Sequence, residues 1–293
     1  MAKFALSAFA DEAGTSLAEQ IAALKENGID YIEPRNIEKK GIIDYSDDEI
    51  AEIKRELDRN GIRVNSLGSP IGKYPIDEPL ETHLIAFERA LRACEILGTK
   101  NMRMFSFFVG QDDLSVKREE VLARMNKLVS LATERGISLC HENESKIYGC
   151  MPKEVADLLD NVNGLYGIFD PANYRMNGAD CMEGIEATLK NLKYLHIKDA
   201  IFSEEAIVPA GEGEGCIAEV INRVNDATDD VVYLTVEPHL HVFDAYASID
   251  DHELKGRHKF TSNREAFDFA VNALKKLLTD NGYKRNGENL WTR

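Results

Sequence analysis

Two periods of apolar residues run along the chain. Apolar side chains every third or fourth position predict helices around Leu17, Ile21 and Leu24; around Leu84, Phe87, Leu91, Cys94 and Leu97; around Val121, Met125, Leu128 and Ala132; and around Phe267, Ala270, Leu274 and Leu277. Between them lie brief, mostly apolar runs: Phe4–Phe9, Tyr31–Pro34, Arg63–Leu67, Asn101–Phe105, Ser138–Glu142, Leu165–Asp170, Tyr194–Lys198 and Val231–Glu237. Such runs predict strands covered on both faces, because a half-exposed strand alternates apolar with polar. Four junctions repeat the same grammar, a helical stretch closed by glycine and followed at once by a strand: Asn27-Gly28, Asn60-Gly61, Leu97-Gly98 and Arg135-Gly136. Glycine just past a helix takes the left-handed conformation that stops it.

Alternation of strand and helix predicts a parallel sheet. Eight units predict closure into a (β/α)₈ TIM barrel, one α/β domain over residues 1–293. An open doubly wound sheet is the alternative, but no G-x-G-x-x-G turn follows the first strand. Irregular stretches are expected at 68–79, 199–215 and 239–262. The second contains Gly211, Gly213 and Gly215, read as the hinge of a closing lid in preference to an anion cradle. Residues 281–293 form a polar tail carrying Trp291, which packs on the barrel or on a neighbouring subunit.

With 44% hydrophobic residues the chain can fill a large core. Its formal charge of -16 repels a phosphate backbone, so nucleic acid is not an expected partner. Five cysteines without a C-x-x-C pair argue against a disulfide framework and for a reducing, cytoplasmic setting. No apolar run is long enough for a bilayer, and Asp11-Glu12 cuts the first one too short for a signal peptide. No membrane association is expected, and a homo-oligomer is compatible with the sequence.

The chemistry lies at the ends of the last four strands. Ser-Leu-Cys-His-Glu stops at Glu142, Leu-Tyr-Gly-Ile-Phe-Asp at Asp170 and Val-Tyr-Leu-Thr-Val-Glu at Glu237, while His196 sits in Tyr-Leu-His-Ile-Lys-Asp. A lone acid at a strand end is usually a helix cap. Capping does not readily explain four such residues on consecutive strands, at the face where barrel enzymes work. Three carboxylates and an imidazole suit one divalent ion such as Mn²⁺, Mg²⁺, Co²⁺ or Zn²⁺. His141 and Cys140 are read as structural. Lys198, two residues past His196, either stabilises an enolate or leaving hydroxyl or forms an ion pair. His239, Glu33, Arg35 and Arg103 are strand-end candidates for substrate contact, or for packing and ion pairing.

Ile32-Glu33-Pro34-Arg35-Asn36, Gly68-Ser69-Pro70-Ile71-Gly72-Lys73, His141-Glu142-Asn143, Phe169-Asp170-Pro171-Ala172-Asn173, Leu195-His196-Ile197-Lys198-Asp199, Pro209-Ala210-Gly211-Glu212-Gly213 and Val236-Glu237-Pro238-His239 occur in this order. In this respect the chain resembles the xylose isomerase-like TIM-barrel superfamily, which includes sugar phosphate isomerases, ketose 3-epimerases, inosose dehydratases and metal-dependent apurinic endonucleases. The resemblance implies one metal on Glu142, Asp170, His196 and Glu237, with Glu142 and Glu237 also acting as acid and base on opposite sides of a small sugar-like substrate. It departs at Asn173, where the epimerases place a histidine that touches substrate; asparagine binds a hydroxyl but does not titrate near neutrality. The expected function is isomerisation or epimerisation of a ketose, keto-polyol or sugar phosphate through an enediolate. The alternative is a lyase or dehydratase that shares the first proton abstraction. An endonuclease would need more metal ligands and a basic track, and a non-catalytic sugar-binding barrel would not need the acid–base pair.

Overall fold

The structure, a computed structural model, describes residues 1–242 and 257–293. Part of the irregular stretch expected at 239–262, residues 243–256, lies outside the described residues. Eight strands build the barrel: β1 Lys3–Ala8, β2 Tyr31–Ile32, β3 Arg63–Val64, β4 Asn101–Met104, β5 Ser138–Glu142, β6 Tyr166–Phe169, β7 Leu192–Ile197 and β8 Val231–Val236. Each coincides with an expected run, trimmed or shifted by a few residues. β4, β5, β6, β7, β8 and β1 form a continuous parallel ladder. β2 pairs in parallel with β3. Two short contacts complete the ring: Glu33 N–H donates to the Ala8 carbonyl (3.1 Å), and Leu67 bridges Met102 beyond the end of β3.

The predicted helical periods all lie in helices: α1 Leu17–Glu26, α2 Asp47–Arg59, α3 Leu80–Leu97, α4 Leu114–Glu134 and, late in the chain, Asn263–Asp280. Ser16 with Glu19 and Ser46 with Glu49 form reciprocal capping boxes at the starts of α1 and α2, satisfying amides that the helix leaves open. Val121, Met125, Leu128 and Ala132 turn fully buried faces to the strands, and most of the buried apolar side chains, from Ala2 to Trp291, join in one main cluster.

Two irregular segments are better ordered than their sequence suggests. The tail forms a hairpin, Lys284–Arg285 with Leu290–Thr292, and its second arm pairs antiparallel with β1 at Phe4 and Ala5. Trp291 is thereby buried on the barrel itself, which decides between the two placements expected for the tail. Within 199–215 a second hairpin joins Asp199–Ile201 to Ala206–Val208. No helix among the described residues is long and apolar enough to cross a membrane, and all five cysteines are free.

Candidate metal centre

Parallel strands put their C-terminal ends on one face of the barrel. Glu142 ends β5, Asp170 and Glu237 each follow their strand by one residue, and His196 lies near the end of β7. One ligand atom from each falls within 4.8 Å of the others, and none of the four is more than 2% exposed. The strand tips are fixed by backbone bonds: Glu237 N–H donates to the Ile197 carbonyl (3.1 Å). Asn143 adds a reciprocal side-chain bridge, accepting from Asp170 N–H (2.9 Å) and donating to the Asp170 carbonyl (2.9 Å).

The two glutamates are presented alike. Glu142 gives Oε2 to Arg103 Nη1 (3.1 Å) and turns Oε1 to His196 Nδ1 (2.9 Å). Glu237 gives Oε1 to Arg35 Nη1 (3.1 Å), leaving Oε2 3.3 Å from His196 Nδ1 without a well-formed hydrogen bond. Each carboxylate thus has one oxygen clamped by a buried arginine and one aimed at the same point. Lys198 Nζ stands 3.0 Å from Asp170 Oδ2 and 3.8 Å from Glu237 Oε2, so the ion pair foreseen for it is present.

Beneath this point lies Glu33. Of the two roles open to it, substrate contact or packing and ion pairing, its surroundings match the second: it is fully buried, and barrel side chains engage both its oxygens, with the Tyr194 hydroxyl donating to Oε1 (2.7 Å), the Thr235 hydroxyl to Oε2 (3.2 Å), and His196 Nε2 3.3 Å from Oε2. A carboxylate behind an imidazole fixes its orientation and tautomer, leaving the other nitrogen for a metal. Asp170 Oδ1 caps the helix that follows by accepting from Asn173 N–H (3.0 Å), and the Asn173 side-chain amide donates to the Asn143 carbonyl (2.9 Å) and reaches Glu142 Oε1 at 3.5 Å. His239 Nε2 lies 3.3 Å from Glu237 Oε1 and 3.4 Å from Glu12 Oε1. Asp11 and Glu12, just past β1, were missed as site residues; Arg35 binds Asp11 through Nε (3.0 Å) and Nη2 (3.2 Å) and Glu12 through Nη2 (3.1 Å).

The electrostatics call for a further positive charge. Among the described residues, six buried carboxylates here (Asp11, Glu12, Glu33, Glu142, Asp170 and Glu237) face three buried lysines and arginines (Arg35, Arg103 and Lys198) and the His196 imidazole, still two positive charges short when that ring is protonated. Burial alone would neutralise His196, yet Glu142 and Glu33 outweigh it and hold the imidazole well above its ordinary pKa. Burial, reinforced by Glu237 and Glu142, raises Asp170 against the pull of Lys198. A divalent cation at the convergence of the four donors would supply the missing charge, and the donor set fits one.

Two neighbouring segments frame the mouth. Gly72 has φ +88°, and a Cβ there would stand 1.9 Å from the Phe105 carbonyl oxygen. Its N–H donates to His83 Nε2 (2.9 Å), so that nitrogen must be unprotonated; burial and the Arg124 charge lower the His83 pKa from 6.5 to about 4. A depressed folded-state pKa means stability present above pH 6.5 and lost as pH falls through 4. The wild type should lose about 2–3 kcal/mol more than His83→Gln over this window in denaturant titrations; equal slopes would refute the role.

The glycine loop is no open hinge. Asp199 Oδ1 accepts from the N–H groups of Ala200 (2.9 Å) and Gly215 (2.8 Å), and Oδ2 from Gly211 (2.9 Å) and Gly213 (3.0 Å). A Cβ on Gly213 would lie 2.3 Å from Oδ1. The loop does cradle an anion, but that anion is the chain's own carboxylate, and the lid-hinge reading gives way to an anchored loop. Asp199→Asn would turn an amide donor against two of these N–H groups. It should raise hydrogen exchange at Gly211–Gly215 about 10–100-fold, the equivalent of one or two lost buried hydrogen bonds; unchanged protection would contradict the anchoring.

The model of one family, the xylose isomerase-like TIM barrel, matches residues 21–255. The chain belongs to that family. No protein of curated function matches it in sequence. Solved structures similar in fold include the IOLI protein with a bound zinc atom (16% identity, 95% of this chain and 98% of that one, TM-score 0.70). An L-ribulose 3-epimerase is also similar (16% identity, 96% of each chain, TM-score 0.70). So is the probable 3-DHS dehydratase AsbF of Bacillus anthracis (14% identity, 93% of this chain and 98% of that one, TM-score 0.71). At these identities the likeness is one of fold, and it agrees with the barrel traced above.

Proposed function

We propose that the protein is a metal-dependent isomerase or epimerase of a small, uncharged keto-sugar or keto-polyol. The observation that carries this reading is the paired presentation of Glu142 and Glu237, each clamped by an arginine on one oxygen and converging with Asp170 and His196 through the other. A divalent ion bound by these four would chelate a carbonyl and its neighbouring hydroxyl and acidify the C–H between them. Glu142 and Glu237, approaching from two sides, then remove a proton and return one, and return from the opposite face inverts the centre. Arg103 and Arg35 hold the two carboxylates in position. Lys198 stabilises oxyanion charge that develops between Asp170 and Glu237. Asn173 and His239 offer hydrogen bonds to substrate hydroxyls.

An uncharged substrate is supported by how the described cations are already matched: Arg35 with Asp11, Arg103 with Glu142, Lys198 with Asp170 and Lys73 with Glu144. The glycine loop, which could otherwise cradle a phosphate, is filled by Asp199.

A lyase is the second reading. It is favoured by Asn173, whose amide donates to the Asn143 carbonyl and cannot exchange a proton with substrate. The epimerase and dehydratase among the similar structures fit either outcome. Chelator-stripped enzyme should be inactive on free keto-sugars and recover with added Mn²⁺, Mg²⁺, Co²⁺ or Zn²⁺, with the phosphorylated forms poorer substrates. Full activity after verified metal removal would overturn the proposal.

A further inference from the structure

We infer that the Arg35 guanidinium occupies the place of a second metal ion and so limits the centre to one. This rests on the proposed metal site and concerns its far side. Glu12, Glu237 and His239 form a second group of ligand-type residues, all buried, with one donor atom each within 4.8 Å of the others. Glu237 belongs to both groups. Its Oε2 faces His196, while its Oε1 lies 3.3 Å from His239 Nε2. A carboxylate with its two oxygens directed to adjacent donor sets has the geometry of a bridging ligand between two cations.

The second set already has its cation. Arg35 Nη1 is 3.1 Å from Glu237 Oε1, and Nη2 is 3.1 Å from Glu12 Oε1. Asp11 holds the remaining edge of the guanidinium, the Phe9 ring lies 4.3 Å beneath it, and Arg35 is only 5% exposed. Arginine stays charged even when buried and donates in a rigid fork, so it satisfies oxygens that would otherwise favour an ion. It also keeps Glu237 Oε1 occupied, so the glutamate can turn only Oε2 to the first site. Arg35 is a positioning residue for Glu237 and the determinant of metal number.

The test is metal stoichiometry with Mn²⁺ alone, read by elemental analysis after gel filtration and by electron paramagnetic resonance. Wild type should hold one Mn²⁺ per chain with a mononuclear signal. Arg35→Met should take up two, with a spin-coupled signal, and Arg35→Met combined with His239→Ala should return to one. Arg35→Lys, which keeps a cation, should stay at one and guards against Arg35→Met failing to fold. A wild type with two Mn²⁺, a folded Arg35→Met that holds one, or an Arg35→Lys that holds two overturns the inference. A wild type that holds none refutes the metal reading beneath it, a separate failure.

Discussion

Glu237→Gln, assayed at saturating metal, should lose turnover by about 10²–10⁴, the usual worth of a positioned general acid or base. Glu142→Gln should do the same. The carboxylate of each meets an arginine through one oxygen and turns the other to the convergence point, where the proposed metal would bind. An amide has a single oxygen, so metal affinity should also drop, on the order of tenfold, the low end for a perturbed ligand shell. Saturating metal separates that loss from the chemical one. The two variants should differ in kind, because in the proposed mechanism each glutamate addresses one side of the substrate. One is expected to exchange the substrate proton with solvent while failing to invert the centre. Near-normal turnover in both, with metal bound, would remove the acid–base assignment, make Lys198 the better candidate base and put the lyase reading first.

Glu33→Ala should weaken metal binding about 10–100-fold, the range for losing a carboxylate that orients a metal-binding imidazole. It removes the partner of His196 Nε2 and the acceptor of the Thr235 hydroxyl, and leaves the Tyr194 hydroxyl only Ser66 Oγ. Metal titration decides between this role and substrate contact, one of the two roles the sequence left open for Glu33. A substrate contact would raise KM and leave metal affinity within about twofold, well below the range for an outer-shell partner.

The periodicity of the chain carried most of the barrel, because a strand covered on both faces must be apolar throughout and a helix between strands must bury one stripe. The four convergent donors were legible for the same reason: an acid or imidazole at the end of an apolar strand is costly unless it is used. That rule also marks Asp11-Glu12, one residue beyond Phe4–Phe9, although in the sequence the pair stands out only as the end of an apolar run. What the rule cannot reach is pairing across the barrel. Arg35 and Glu237 lie 202 positions apart and meet at 3.1 Å only because the ring closes. Nor does spacing reveal that Asp199 is the anion for Gly211, Gly213 and Gly215, since the intervening hairpin Asp199–Ile201 with Ala206–Val208 is too short to show a period. Glu33 was visible as a strand-end acid, while its place beneath His196 depends on the curvature of the closed barrel.

Solvent deuterium is the most direct probe of a metal-assisted proton transfer. Metal-loaded enzyme incubated in D₂O with a panel of unphosphorylated keto-sugars should place deuterium on the carbon next to the carbonyl of the accepted sugar. Incorporation should vanish on chelation and return with the divalent ion. A sugar turned over without any deuterium entering that carbon, or incorporation that survives complete metal removal, would contradict the account.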